Sequence, residues 1–487
     1  MSSQILNLEP KAVWKHFHSL TQIPRPSKHE GAVVEFMKKF AAENHLECIL
    51  DEVGNVILRK PASPGMENRK GIILQGHLDM VPQKNSDTAH DFEKDPIDAY
   101  IDGEWVTARG TTLGADNGIG VAAAMAVLES KDIAHGPIEA LLTIDEETGM
   151  TGAFGLGAGI LKGDILINLD SEDEGELYIG CAGGTDANAK FSYTEEPVSG
   201  HVKGVKISVT GLKGGHSGMD IVLGRGNANK VLFRFLKAYA EDLGFRMSAI
   251  EGGSLRNAIP REAFATGTVP EGKFNALKQA MEAYAAIAGA ELAATEPDMA
   301  LSVEEIYAPA KWIDNLTQKN LVRAINACPN GVIRMSDAME NLVETSTNLA
   351  IVKSKEGVVE VNSLMRSSVD TAKEGLAVMV ASVFELAGAK IEFEGTYPGW
   401  RPNPSSEILK LAGEVYNEKY GKIPEVKAIH AGLECGLLGA VYPHWDMISF
   451  GPTIRYPHSP DEKVNIATVA KFYNYLLEML QKAPLKS

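Results

Sequence analysis

The sequence predicts an α/β protein: a mainly parallel-sheet domain interrupted by an inserted α+β domain. Three observations predict it. Short apolar runs of buried-strand length, "GIILQG", "IEALLTI" and "DILINL", alternate with helical stretches in the first part of the chain, as strands joined by crossover helices do. After residue 187 the texture changes to alternating strands that end in glycines, as in "VKGVKISVTGLKGGHSG". From residue 400 the α/β texture returns. The expected division is therefore 1–187 and 400–487 for the main domain and 188–399 for the insert. A chain of 487 residues is also too long for one compact core.

The elements follow in order. Pro10 stands where a helix can begin, before "KAVWKHFHSL". Ser27-Lys28-His29-Glu30 has the S-x-x-E form of a capping box, ahead of "AVVEFMKKFAAEN". "VILRK" and "GIILQG" read as strands around a polar loop with Pro and Gly. Asp102-Gly103 between apolar alternations signals a hairpin. "GVAAAMAVLES" is Ala-rich and helical. In the insert, "GNANKVLFRFLKAYAEDL" reads as a helix and "SLRNAIPREAFATGTV" as paired strands. Residues 345–395 repeat this texture, with a hairpin or meander over "TNLAIVKSKEGVVEVNSLMRSSVD" and a helix over "GLAVMVASVFELAGA". Two similar strand-helix units side by side in the insert are the expectation. "SSEILKLAGEVYNEKY" (helix), "DMISFG" (strand) and "NIATVAKFYNYLLEMLQKA" (helix) close the main domain.

Composition excludes some classes of partner. Lys plus Arg is 47 against 64 Asp plus Glu, a formal charge of −17. So acidic a chain argues against nucleic acid or an anionic membrane as the main partner. Cys48, Cys181, Cys328 and Cys435 are widely spaced with no C-x-x-C pair, which fits a reducing compartment rather than a disulfide framework. "MSSQILNLEPKAVWKHF" lacks a basic stretch followed by an apolar one, so no signal peptide is expected. No uninterrupted apolar run is long enough for a membrane span. A cytoplasmic protein is the expectation.

The chemistry collects at strand ends. "GIILQGHLDMVP" drives an apolar strand into His77-Leu78-Asp79. In an extended chain, residues i and i+2 face the same side. His77 and Asp79 thus share a face at the carboxyl end of a strand, where open α/β sheets place ligands. Asp116 in "LGADNGIGVAAA" reads singly as a helix N-cap. Glu146 and Glu147 end "ALLTIDEETG", Asp170 ends "DILINLD", and His458 sits in "GPTIRYPHSPDE". Singly these read as a solvated turn, a polar loop and a surface histidine. Jointly they put carboxylates and imidazoles on one edge of one sheet. Such a concentration of anions raises pKa values and costs stability unless a cation is bound. Two imidazoles and several carboxylates without thiolate fit Zn, Mn or Co. The ligands are too many for one tetrahedral ion with an open position and suffice for two ions about 3.5–4 Å apart. Glu146 and Glu147 are adjacent, so in an extended segment their side chains diverge. Spacing does not say which of them binds metal and which faces the water.

"GHLDMVP", "TLGADNGIG", "IDEETGMTGA", "NLDSEDEGE" and "GPTIRYPHSPDE" together resemble the co-catalytic zinc peptidases that include aminoacylase, carnosinase and glutamate carboxypeptidase. The match runs in order along nearly the whole chain. "YIGCAGG", "KGGHSG" and "HAGLECG" narrow the resemblance to the bacterial Xaa-His dipeptidase branch. The resemblance implies two Zn2+ per chain, with Co2+ or Mn2+ as substitutes. It assigns His77 and Asp170 to one ion, Glu147 and His458 to the other, and Asp116 to both. Glu146 is then the general base that serves the water between the ions, and Asp79 orients His77. The Asp116-Asn117 peptide is expected to be cis. The insert corresponds to the family's lid, where His216 would meet the oxyanion. Asn257 and Arg366 would grip the substrate carboxylate, with Gly432 and Glu434 also near substrate. Cys181 and Cys435 read as small buried residues rather than nucleophiles.

The activity implied is hydrolysis of unblocked dipeptides, preferring carnosine-like Xaa-His. The same di-metal chemistry also suits an N-acyl amino acid amidohydrolase. A non-catalytic binding protein of this fold is a third reading, against which Glu146 and Asp79 argue. The partner is a small peptide, with no nucleic acid and no membrane. Single-sized lids in this superfamily commonly dimerise, and the longer 188–399 insert has room for both halves in one chain, so a homodimer stays open.

Overall fold

The computed structural model describes residues 2–486, and the chain divides into two units. The first takes the chain up to Gly180, Pro402–Ala428, and everything from Leu433 on. The second takes Cys181–Arg401 with Ile429–Gly432. From the sequence, Ile429–Gly432 is expected in the first. Backbone bonding places it otherwise, because the Ala182 N–H donates to the carbonyls of Ile429 (3.1 Å) and Ala431 (3.0 Å).

The first unit is built on an eight-stranded sheet. Its spatial order is Glu47–Leu50, Val56–Lys60, Ile138–Thr143, Ile72–His77, Ile165–Asn168, Asp446–Ser449, Glu176–Cys181 and Glu425–Ile429. The centre is parallel: Ile72–His77 pairs that way with Ile138–Thr143 and Ile165–Asn168, and Asp446–Ser449 with Ile165–Asn168. Val56–Lys60 pairs antiparallel with Glu47–Leu50 and with Ile138–Thr143, and Asp446–Ser449 antiparallel with Glu176–Cys181, so the sheet is mixed. At one edge the cause is local. Asp51 Oδ1 accepts the N–H groups of Val53, Gly54 and Asn55 and closes a turn too tight for a crossover helix. Every residue of the three strands Ile72–His77, Ile138–Thr143 and Ile165–Asn168 is buried, as parallel strands covered on both faces are.

A small four-stranded sheet carries the remaining site loops. It runs Ile454–Arg455, Lys463–Asn465, Trp105–Ala108, Ala99–Asp102. The first pair frames the loop 456–462 that holds His458. The next pairing sets that loop beside the segment leading to Asp116. The hairpin signalled by Asp102-Gly103 forms, with Asp102 opposite Trp105.

The capping box does not form. Helix Gly31–Glu43 starts with Glu30 at its N-cap and no side-chain cap bond. Lys28 takes a left-handed φ of 70°, which turns the chain before the helix. Ser27 and Glu30 face inward instead, and their new partners appear below.

The second unit has a nine-stranded sheet, in which two βαββαβ halves supply eight strands and Gly331–Met335 pairs beside Val343–Lys355 as the ninth. One half runs Val202–Thr210, helix Ala228–Phe235, Arg246–Gly252, Ala263–Pro270, helix Phe274–Glu291, Ala300–Ile306. The other runs Gly183–Ser192, helix Asn315–Ala327, Val343–Lys355, Val358–Ser367, helix Asp370–Leu386, Lys390–Tyr397. In both, the first strand lies between the third and the fourth, the fourth is outermost, and the second faces the other half. The halves join where Arg246–Gly252 pairs with Val343–Lys355. One half is inserted between the first strand and first helix of the other. A shared core with Phe191, Phe233, Phe235, Tyr284 and Phe384 lies under the sheet. Among the described residues no helix is long and apolar enough to cross a membrane.

Leu74 lies mid-way along the central strand with no exposure. Leu74→Ala should cost about 2–5 kcal/mol, read as a lower denaturant midpoint at unchanged m-value. A loss below about 1 kcal/mol would contradict a close-packed centre at this strand.

Candidate active site

The first unit gathers the site at the carboxyl ends of its parallel strands. His77 is the last residue of its strand and is 1% exposed. Its Nδ1 lies 3.3 Å from Asp79 Oδ1, as alternation along an extended chain requires. Asp79 is fully buried. Its Oδ2 accepts from Ser27 Oγ (2.8 Å) and the Glu147 N–H (3.2 Å), and its Oδ1 from the Glu146 N–H (3.1 Å). One carboxylate therefore stands beside the imidazole and anchors the turn that carries both glutamates. Burial opposes its ionisation, but the bonds and charge from His77, with Ser27 and the Glu146 N–H, prevail and bring its pKa to about 2.

Asp116 sits at the kinked start of helix Ala115–Glu129, where Asp116 and Asn117 have non-helical backbone angles. The Asp116-Asn117 peptide is cis. Strand and helix start approach closely at Gly76, where an added Cβ would stand 2.2 Å from Asn117 Oδ1. Asp116 Oδ1 is 3.1 Å from His77 Nε2, and Oδ2 is 3.3 Å from His458 Nε2. His77 Nε2 also lies 3.4 Å from Asp170 Oδ1, and His458 Nε2 lies 3.0 Å from Glu147 Oε2. Two groups result, His77–Asp116–Asp170 and Asp116–Glu147–His458. In each, the potential ligand atoms lie within 4.8 Å of one another. Asp116 belongs to both, with one oxygen toward each imidazole.

The electrostatics call for cations. Burial above all, with Asp116 and Glu147 adding to it, pushes Asp170 up to about 7 against the pull of His77. Burial also raises Glu146 well above the carboxylate range, and Asp170, Glu434 and Glu147 reinforce it. Hydrogen bonds to Asp116 and Glu147 lift His458 to about 11. Glu147 Oε1 is buried without a hydrogen-bond partner among the described residues. Oxygen and imidazole donors in two groups around one shared carboxylate fit a pair of divalent ions.

Glu434 begins helix Glu434–Val441 and is 2% exposed. Its Oε2 accepts from Gln75 Nε2 (2.6 Å) and Thr143 Oγ1 (2.8 Å), while Oε1 has no hydrogen-bond partner among the described residues. Burial pushes it up to about 7. Ser27 and Glu30 escaped sequence reasoning. The S-x-x-E spacing mimics a cap, yet Ser27 bonds Asp79, and Glu30 Oε1 accepts the Lys28 (2.9 Å) and Asp145 (3.0 Å) N–H groups.

The other residues singled out lie in the second unit. His216 Nδ1 accepts the N–H groups of Gly218 (3.2 Å) and Met219 (3.1 Å), which puts the proton of the neutral ring on Nε2. Burial, and the charge of Arg366, lower its pKa. Arg366 is 6% exposed and donates through Nη1 to the Tyr397 hydroxyl (3.1 Å). Gly432 leaves room for the Tyr397 ring, 3.2 Å from where a Cβ would stand. Asn257 is exposed, in a loop, and its carbonyl accepts the Ser217 N–H (2.8 Å). His430 was not anticipated. It is buried against Ser346 Oγ at 2.7 Å, and burial with Arg366 and His216 lowers its pKa to about 3. Cys181 and Cys435 are buried.

Comparisons with known proteins agree over the whole chain. Residues 73–482 match the model of peptidase family M20/M25/M40. Over 484 residues, 99% of this chain and 100% of the relative, the sequence is 49% identical to the cytosol non-specific dipeptidase of Escherichia coli K12. The crystal structure of aminoacylhistidine dipeptidase from Vibrio alginolyticus is 51% identical, covers 100% of both chains, and superposes with a TM-score of 0.96. Aminopeptidase PepT from Bacillus cereus ATCC 10987 shares the fold, with a TM-score of 0.62 at 16% identity over 98% of this chain and 99% of that one.

Removing the repulsion among these carboxylates should stabilise the chain. With divalent zinc or manganese at a hundred times its Kd, binding to the folded state alone adds about 2.7 kcal/mol. The melting temperature of chelator-treated protein should therefore rise on adding metal. No rise with either ion would contradict a metal site here.

Proposed function

This chain belongs to peptidase family M20/M25/M40, and on that premise we propose that it is a metal-dependent dipeptidase of unblocked dipeptides, preferring Xaa-His. The observation that carries the reading is Asp116, whose two oxygens face two separate imidazole-carboxylate groups. The names of the Escherichia coli and Vibrio relatives support dipeptides as substrates. A cytosolic setting is part of the proposal, supported by the first of those names and by the lack of disulfides among the described residues.

In this reading His77 and Asp170 hold one ion, Glu147 and His458 the other, and Asp116 both. The ions are zinc, with cobalt or manganese as substitutes. When bound they polarise the scissile carbonyl and acidify a water at the site. Glu146 takes the proton from that water and passes it to the leaving amine. Burial and its anionic neighbours make Glu146 hold a proton readily, which suits a group that must accept one. Asp79 keeps the His77 ring in place through Nδ1. In the second unit, His216 presents an Nε2–H suited to an oxyanion. Arg366 and Asn257 take the substrate carboxylate, with an arginine fork suited to bidentate pairing. Gly432 offers backbone to the substrate, and Glu434 the free oxygen of a buried carboxylate.

The zinc-loaded protein should hydrolyse L-carnosine and leave N-acetyl-histidine intact. The opposite outcome would move the chain to the deacylases and overturn the substrate reading while leaving the metal groups standing. Glu146→Gln should lower kcat by about 10²-fold or more with metal content retained. Unchanged kcat would remove Glu146 from the role of base.

A further inference from the structure

A buried ionic frame surrounds the loop that carries Asp116, and none of the roles above uses it. Glu462 is 2% exposed. Its oxygens accept four consecutive backbone N–H groups. Oε2 accepts from Leu113 (2.7 Å) and Gly114 (3.0 Å), and Oε1 from Ala115 (2.7 Å) and Asp116 (3.2 Å). Arg25, 1% exposed, holds the carbonyl side. Its Nη2 donates to Gly114 O (2.6 Å), and its Nη1 to Leu78 O (2.9 Å) and Asp79 O (2.8 Å). The fit around the guanidinium is tight: a Cβ at Gly114 or Gly118 would stand 2.6 Å or 2.7 Å from Arg25 Nη2.

We propose that Glu462 and Arg25 are positioning residues of the metal centre, fixing how Asp116 divides its two oxygens between the two ligand groups. The proposal rests on the di-metal reading above. Asp116 meets His77 through Oδ1 and His458 through Oδ2, so a small rotation of its backbone changes both contacts at once. The two residues clamp that backbone from both sides, carboxylate oxygens on its amides and a guanidinium on a carbonyl. Each also reaches a second ligand-bearing segment. Arg25 ties the Asp116 loop to the carbonyls that follow His77. Glu462 closes the loop that carries His458, with its N–H on Ser459 O (2.9 Å) and its carbonyl on Thr107 Oγ1 (2.7 Å). The group Asp116–Glu147–His458 thus depends on Glu462 for the spacing of two of its members. The group His77–Asp116–Asp170 keeps two members on strand ends.

The test is a metal titration of Glu462→Gln beside the unchanged protein, followed calorimetrically with zinc, with the fold of the metal-free proteins checked by circular dichroism. The amide keeps the shape and cannot accept all four N–H groups. One of the two binding steps should lose about tenfold or more in affinity, with the other little moved. The kcat lost at limiting metal should return with excess metal, at unchanged KM. A titration that superimposes on the unchanged protein's overturns the clamp. So does an equal weakening of both steps with a lowered metal-free melting temperature, because that is a merely structural role. If Glu462→Gln does not fold, Arg25→Lys, which keeps the charge and loses the fork, is read by the same criteria. A flat titration of the unchanged protein would instead overturn the di-metal reading itself.

Discussion

The structure depends on the carboxylate of Asp116 standing between two imidazoles. One oxygen faces buried His77 and the other faces His458. Asp170 and Glu147 complete the two groups, and Glu146 sits beside them. So many acids at the ends of buried strands repel one another, and burial magnifies the repulsion. The fold sustains this by neutralising and fixing the site from within. His77 and His458 stand against the acids, Arg25 lies at full burial behind them, and Asp79 and Glu462 spend their charge on backbone amides. The anionic crowding that would weaken an ordinary core marks a place for divalent cations.

Sheet topology explains why these residues meet. Ile72–His77 is central, with parallel neighbours on both sides. Its end, the turn after Ile138–Thr143, and the end of Ile165–Asn168 lie along one edge. They bring His77, Glu146, Glu147 and Asp170 together from three stretches of chain. The helix start at Asp116 comes close because Gly76 has no side chain. The small sheet then carries the His458 loop to the same place.

Part of this was legible in the sequence because its signals are local. Apolar runs marked the buried strands, and period-two alternation put His77 and Asp79 on one face. Repeated acids and histidines at strand ends pointed to metal. Asp116 read singly as a helix cap, but the helix start is kinked there and the carboxylate faces the imidazoles instead. Ser27 and Glu30 imitated a capping box, yet their partners are Asp79 and the backbone of Lys28 and Asp145. Arg25 and Glu462 were illegible. Both bind main-chain groups distant in sequence, and a backbone amide or carbonyl leaves no mark in the residue string. Glu462 even lies within a stretch whose histidine was singled out. The antiparallel pairings of the main sheet and the nesting of one βαββαβ half inside the other were equally hidden, since strand order follows from long-range pairing.

If Asp116 is shared by two metal subsites, anomalous diffraction from crystals of the zinc-loaded protein will locate an ion on each side of it. Two peaks about 3.5–4 Å apart, one on each side of the Asp116 carboxylate, are the predicted result. A single peak, or two peaks that do not share Asp116, would contradict it.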